Sequence, residues 1–144
     1  MRSLTLIWVA VCLCGAAIAQ DETTERAKLV GSWQSPDNAQ LWSFANQGDA
    51  LKVVETEGGN KVADFTCNTD GKQCEVKIGG KKASVSFYYN GPKLVEIEQK
   101  GSDVLKRRFT ADQTDAMELE VMPIVPSGSN ATLKFKRVNT VAKQ

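Results

Sequence analysis

The stretch ASVSFYYNGPKLVEIEQKGSDVLKRRFTA, residues 83–111, decides the fold. Ala83, Val85, Phe87 and Tyr89 alternate with Ser84, Ser86 and Tyr88 until Asn90-Gly91-Pro92 breaks the run. A period of two is that of a strand with one apolar and one wet face, and Gly-Pro punctuation marks a tight reversal. The chain then reads as a strand over Leu94 to Lys100, turns at Gly101-Ser102-Asp103, and resumes over Val104 to Ala111. Links this short cannot carry a parallel crossover, so neighbouring strands pair antiparallel.

The same rhythm extends in both directions. Earlier strands are expected at Leu29 to Gln34, Leu41 to Asn46, Leu51 to Thr56, Val62 to Cys67 and Cys74 to Ile78, and later ones at Ala116 to Met122 and Ala131 to Val138. Asn46-Gln47-Gly48-Asp49, Gly58-Gly59-Asn60-Lys61, Gly79-Gly80-Lys81 and Pro126-Ser127-Gly128-Ser129-Asn130 supply the reversals. So many antiparallel strands lose both exposed edges by closing on themselves. The expected fold is all-β, a single up-and-down meander closing into a barrel of about 8–10 strands. Helix is confined to one or two turns within Thr23 to Val30, ahead of the first strand.

Alternation assigns the faces. Val85, Phe87 and Tyr89, Val95 and Ile97, Leu105 and Phe109, Met117, Leu119 and Val121, and Leu133 and Phe135 are expected inside. The outer face then carries Glu96 and Glu98, Lys106, Arg107 and Arg108, Glu118 and Glu120, and Lys134, Lys136 and Arg137. Charges that change sign from strand to strand read as cross-strand ladders that fix register, in preference to a basic binding patch. Met122-Pro123-Ile124-Val125-Pro126 resists a central strand, since proline cannot donate to a ladder; it reads as a buried crossover or an interaction segment.

The first residues read as an export signal: Arg2, an apolar run from Leu4 to Leu13, and small residues at Ala17-Ile18-Ala19. Cleavage near Ala19 makes the protein secreted or periplasmic, without a membrane span. Cys12 and Cys14 follow bulky Val11 and Leu13, which disfavours lipidation there. The expected organisation is a signal peptide over 1–19, a polar lead over 20–28, one barrel domain over 29–138 and a tail over 139–144.

The 144-residue chain holds 18 basic and 17 acidic residues, and loss of Arg2 with the signal leaves the two signs balanced. That balance supplies no electrostatic attraction for nucleic acid. Cys67 and Cys74 are the cysteines that survive maturation, and the turn signal Thr69-Asp70-Gly71-Lys72 between them brings them within reach of a disulfide in an oxidising compartment. The sequence has no histidine, so two thiolates alone make an incomplete metal site and no metal or other cofactor is expected. No pair of Asp, Glu, Lys or Tyr stands apart as catalytic, so an enzyme is not expected.

Gly31-Ser32-Trp33, at the head of the first strand, resembles the Gly-x-Trp signature of the lipocalins and their calycin relatives. In that family the tryptophan lies across the closed barrel end under an arginine of the final strand, which implies Arg137 as the partner of Trp33. Thr114-Asp115-Ala116 lacks the aromatic of the family's second motif, and the chain has no long C-terminal helix, so the resemblance is to a compact, bacterial, secreted lipocalin-like domain. It implies a small hydrophobic molecule in the barrel interior, with Trp42, Phe44, Phe65, Phe87, Tyr89, Phe109 and Met117 as pocket candidates. The alternative is a solid-packed barrel acting as a non-enzymatic protein- or envelope-interaction module, its partner unspecified by sequence.

Overall fold

The computed structural model describes residues 23–111 and 115–139. The expected export signal, Cys12, Cys14, Thr114 and most of the C-terminal tail lie outside them. After a helical turn over residues 23–27, ten strands follow. They are β1 (Gly31–Gln34), β2 (Gln40–Gln47), β3 (Ala50–Glu57), β4 (Asn60–Asn68), β5 (Asp70–Ile78), β6 (Lys81–Asn90), β7 (Lys93–Lys100), β8 (Asp103–Thr110), β9 (Ala116–Val125) and β10 (Ala131–Val138). Each pairs antiparallel with the next, and β10 returns to β1 to close the barrel.

Two-residue hairpin turns fix much of the register. Asn90 pairs with Lys93 across Gly91-Pro92, and Lys100 pairs with Asp103 across Gly101-Ser102. Side chains of paired residues share a face, so Tyr89, Leu94 and Phe109 point inward together, as do Phe87, Glu96 and Arg107. The phase of β7 is therefore opposite to the one its hydrophobic pattern suggests. Leu94, Glu96 and Glu98 face the interior, and Val95 and Ile97 face out with Tyr88, Arg108 and Lys106. Arg107 likewise belongs to the interior. With both turns kept, facing Val95 and Ile97 inward would turn their neighbours Phe87 and Phe109 outward, and each buried aromatic contributes about 1.5–3 kcal/mol.

The outer ladder of alternating charge persists on β8 and β9, where Arg108 pairs with Glu120 and Lys93 reaches the same carboxylate at 3.3 Å. The proline-flanked segment is not a crossover. β9 runs on to Val125, with Pro123 opposite Leu105 at a register shift in β8, and leaves Ile124 and Val125 each 48 % exposed.

One seam departs from the regular barrel. β4 and β5 share a single ladder pair, Ala63 with Ile78, supplemented by Gly79 N–H donating to the Val62 carbonyl at 2.8 Å. The Cys67–Cys74 disulfide spans this seam, with Cα atoms 6.1 Å apart.

Candidate functional site

At one end the barrel is plugged. Trp33 is fully buried, its indole N–H donates to the Leu29 carbonyl at 2.8 Å, and the Arg137 guanidinium lies 4.2 Å from its ring centroid. Arg137 also donates to the carbonyls of Val30 (2.8 Å) and Lys28 (2.7 Å), which ties the helical lead to the last strand. Gly31 has a φ of 134°, and a Cβ there would collide with the Arg137 guanidinium, so this position requires glycine twice over. Arg26 covers the same end, donating to the Gly91 carbonyl at 2.8 Å and lying 4.6 Å from the Tyr89 ring centroid. Burial raises the Tyr89 phenol pKa, and Arg26 opposes the rise.

Trp42, Phe44 and Phe109 pack on one another, with ring centroids 5.0 to 6.1 Å apart. Phe65 and Phe87 form a second pair at 6.0 Å. Met117, paired with Phe135, is buried in the same core, whereas Tyr89 is half-buried beneath Arg26. Trp42, Phe44, Phe87 and Phe109 are at most 2 % exposed and Phe65 is partly buried, so side chains fill the middle of the barrel.

Set into this aromatic interior is a group of charges. Arg107 Nη1 lies 2.7 Å from Glu98 Oε2 and 3.2 Å from Glu96 Oε2, and its guanidinium stands 5.5 Å from the Trp42 ring centroid. Glu55, paired with Trp42 across β2 and β3, contributes a third carboxyl. Burial, only partly opposed by Arg107, pushes the Glu55 carboxyl up to about 7 and also raises that of Glu96. Burial works against the Arg107 charge, but the nearby carboxylates outweigh it and hold the guanidinium firmly protonated. The Trp42 indole N–H is buried without a hydrogen-bond partner.

Glu96, Glu98 and Arg107 were hidden among surface ladders because each sits in a charge-rich run. The Asn90–Lys93 and Lys100–Asp103 turns carry the signal that finds them, since counting back from either turn sets Phe87 beside Glu96 and Glu96 beside Arg107. Glu55 has no such flag: only its position opposite Trp42 marks it.

The seam provides the other feature of the site. Phe65, Cys74 and Val76 line a lateral groove of about 620 Å³, edged by Asp64, Glu75, Lys77 and Lys82. No group of three or more His, Cys, Asp or Glu able to hold a metal occurs among the described residues. None of the described helices is long and apolar enough to cross a membrane.

The closed up-and-down meander, plugged at one end by a tryptophan beneath an arginine, defines a lipocalin-like, calycin-type barrel. Solved structures share that fold. A secretory abundant heat-soluble protein from Ramazzottius varieornatus superposes with a TM-score of 0.67 at 13% identity, over 77% of this chain and 96% of that one. A Schistosoma mansoni fatty-acid-binding protein in complex with arachidonic acid gives 0.62 at 13% identity, over 80% and 99%. Fatty-acid-binding protein 1 of Echinococcus granulosus gives 0.65 at 6% identity, over 78% and 99%. No protein-family model matches the sequence, and no curated protein is significantly similar to it.

Proposed function

We propose that this chain is an exported, non-enzymatic binding barrel that takes one amphipathic small molecule between its aromatic walls, with Trp42, Phe44, Phe65, Phe87, Tyr89, Phe109 and Met117 offering the apolar surface. The observation that carries it is the charged group inside the barrel. Burying carboxylates is costly, and a barrel serving only as a scaffold gains nothing from Glu55, Glu96 and Glu98 in its core. An apolar wall with a few polar groups converging on it is the usual composition of a small-molecule site. Fatty-acid binding by barrels of this fold, named above, supports the same direction. Because the central rings are in contact, entry requires strands to part, and the β4–β5 seam has the fewest ladder bonds to break.

A fluorescent alkyl probe titrated into purified protein is expected to give a saturable signal at one probe per chain, displaced by unlabelled alkyl amphiphiles. A signal that rises linearly, or is absent, overturns the proposal.

One observation favours a second function, that of a solid barrel docking a protein through its rim. Ile124 and Val125, each 48 % exposed, lie at the β9 end opposite the Trp33 plug, and Leu133, 38 % exposed, adds a separate apolar spot on β10. In that case the alkyl probe stays unbound and Leu133→Lys leaves the fold intact.

A further inference from the structure

We infer that the head group selected by this interior is a cationic hydrogen-bond donor, an alkylamine in its simplest form, and not a carboxylate. The inference rests on the barrel taking its ligand inside, as proposed above. Three carboxyls, those of Glu55, Glu96 and Glu98, surround one guanidinium. Arg107 already bonds both Glu96 and Glu98 through Nη1, so a ligand carboxylate approaching its other N–H groups would sit among like charges on a cation already shared by two carboxylates.

On the interior face, two polar groups have no hydrogen-bond partner of their own. Glu55, only 4 % exposed, makes no side-chain hydrogen bond or ion pair among the described residues. The Trp42 indole N–H, in a residue 2 % exposed, is likewise unpaired. Trp42 and Glu55 are direct partners across β2 and β3 and share the interior face. Buried polar groups are almost always hydrogen-bonded, so an acceptor and a donor left open side by side mark a place for a ligand's polar atoms. An ammonium supplies N–H donors to Glu55 and offsets the excess negative charge, and a hydroxyl beside it would accept from the indole.

Access fits the same position. Ala63 is the β4 partner of Glu55 and also the β4 member of the single β4–β5 ladder pair, so Glu55 lies one strand from the seam. An alkyl chain resting on Phe65 and Val76 in the lateral groove lies along that seam.

Isothermal titration of the purified protein at about pH 8 with dodecylamine, dodecanol and dodecanoate tests the inference. Dodecylamine is expected to bind at least about tenfold more tightly than dodecanoate, and Glu55→Gln to remove most of that preference. Equal affinities, or tighter dodecanoate, overturn the head-group inference while leaving interior binding intact. Failure of all three to bind overturns interior binding itself.

Should Glu55→Gln not fold, pH decides in the unaltered protein. Glu55 is faced by Glu96, Glu98 and Arg107, with Glu57 further along its own strand, and its β2 and β4 partners are the uncharged Trp42 and Ala63. Its carboxyl titrates at about 7 while an alkylamine stays protonated, so the preference should shrink as pH falls from about 8 to about 6. A preference unchanged over that range overturns the role of Glu55.

Discussion

Glu55 holds its proton more tightly in the folded barrel than in the open chain, with a carboxyl at about 7 against an ordinary 4.5. Between those values the folded state binds more protons than the unfolded one, so stability is lost as pH rises through the window and the full cost is present above about 7. Glu55→Gln should therefore stabilise the protein by on the order of 3 kcal/mol above about pH 7, a gain that fades as pH falls and vanishes below the ordinary carboxylate range. Thermal melts of both proteins across pH check this; a pH-independent difference would contradict it. Arg107 behaves in the opposite sense. Arg107→Met leaves Glu96 and Glu98 buried without their cation and should cost about 3–5 kcal/mol near neutral pH, read from denaturant unfolding. A loss below about 1 kcal/mol would mean that the pair is better solvated than its burial implies.

At the scale of elements, the β4–β5 seam depends on its disulfide more than any laddered pair would. Closing so short a loop removes roughly 2–3 kcal/mol of unfolded-chain entropy, so the double substitution Cys67→Ser with Cys74→Ser should lower stability by that amount. Amide exchange should accelerate in β4 and β5 ahead of β7 and β8, which are fully paired on both sides; uniform acceleration would show that the seam is no weak point. All ten strands were legible in the sequence, because glycine, asparagine or proline interrupts the alternation at every reversal except the Ala111-Asp112-Gln113-Thr114-Asp115 link between β8 and β9. The facing of one strand and the extent of another were not. β7 offers Val95 and Ile97 as a plausible apolar face, and only the register imposed by its two turns reveals that Glu96 and Glu98 point inward. Pro123 argues against a strand, yet a register shift opposite it in β8 lets β9 continue to Val125. Local pattern lost to non-local pairing in both cases, as expected when a barrel must close with one register throughout.

For the whole molecule, the plug of Trp33, Gly31 and Arg137 closes one end, the aromatic core fills the middle, and the buried charges lie among those rings. Arg137→Ala removes the cation over the indole and both bonds to the N-terminal lead, so it should release residues 23–30 to proteolysis while the strands persist by circular dichroism. Unchanged cleavage would assign the lead's anchorage to Arg26 instead. The aromatic residues of the core were legible as a set from alternation, but their mutual contacts were not, since strand tilt and barrel size decide which rings meet. The most direct measurement of interior binding is two-dimensional NMR of the protein mixed with a dodecyl chain bearing a terminal spin label. The expected result is broadening of amide signals around Val53, Phe65 and Phe87, with those of Ile124, Val125 and Leu133 unaffected. Broadening confined to the latter three, with the interior untouched, would contradict binding within the barrel.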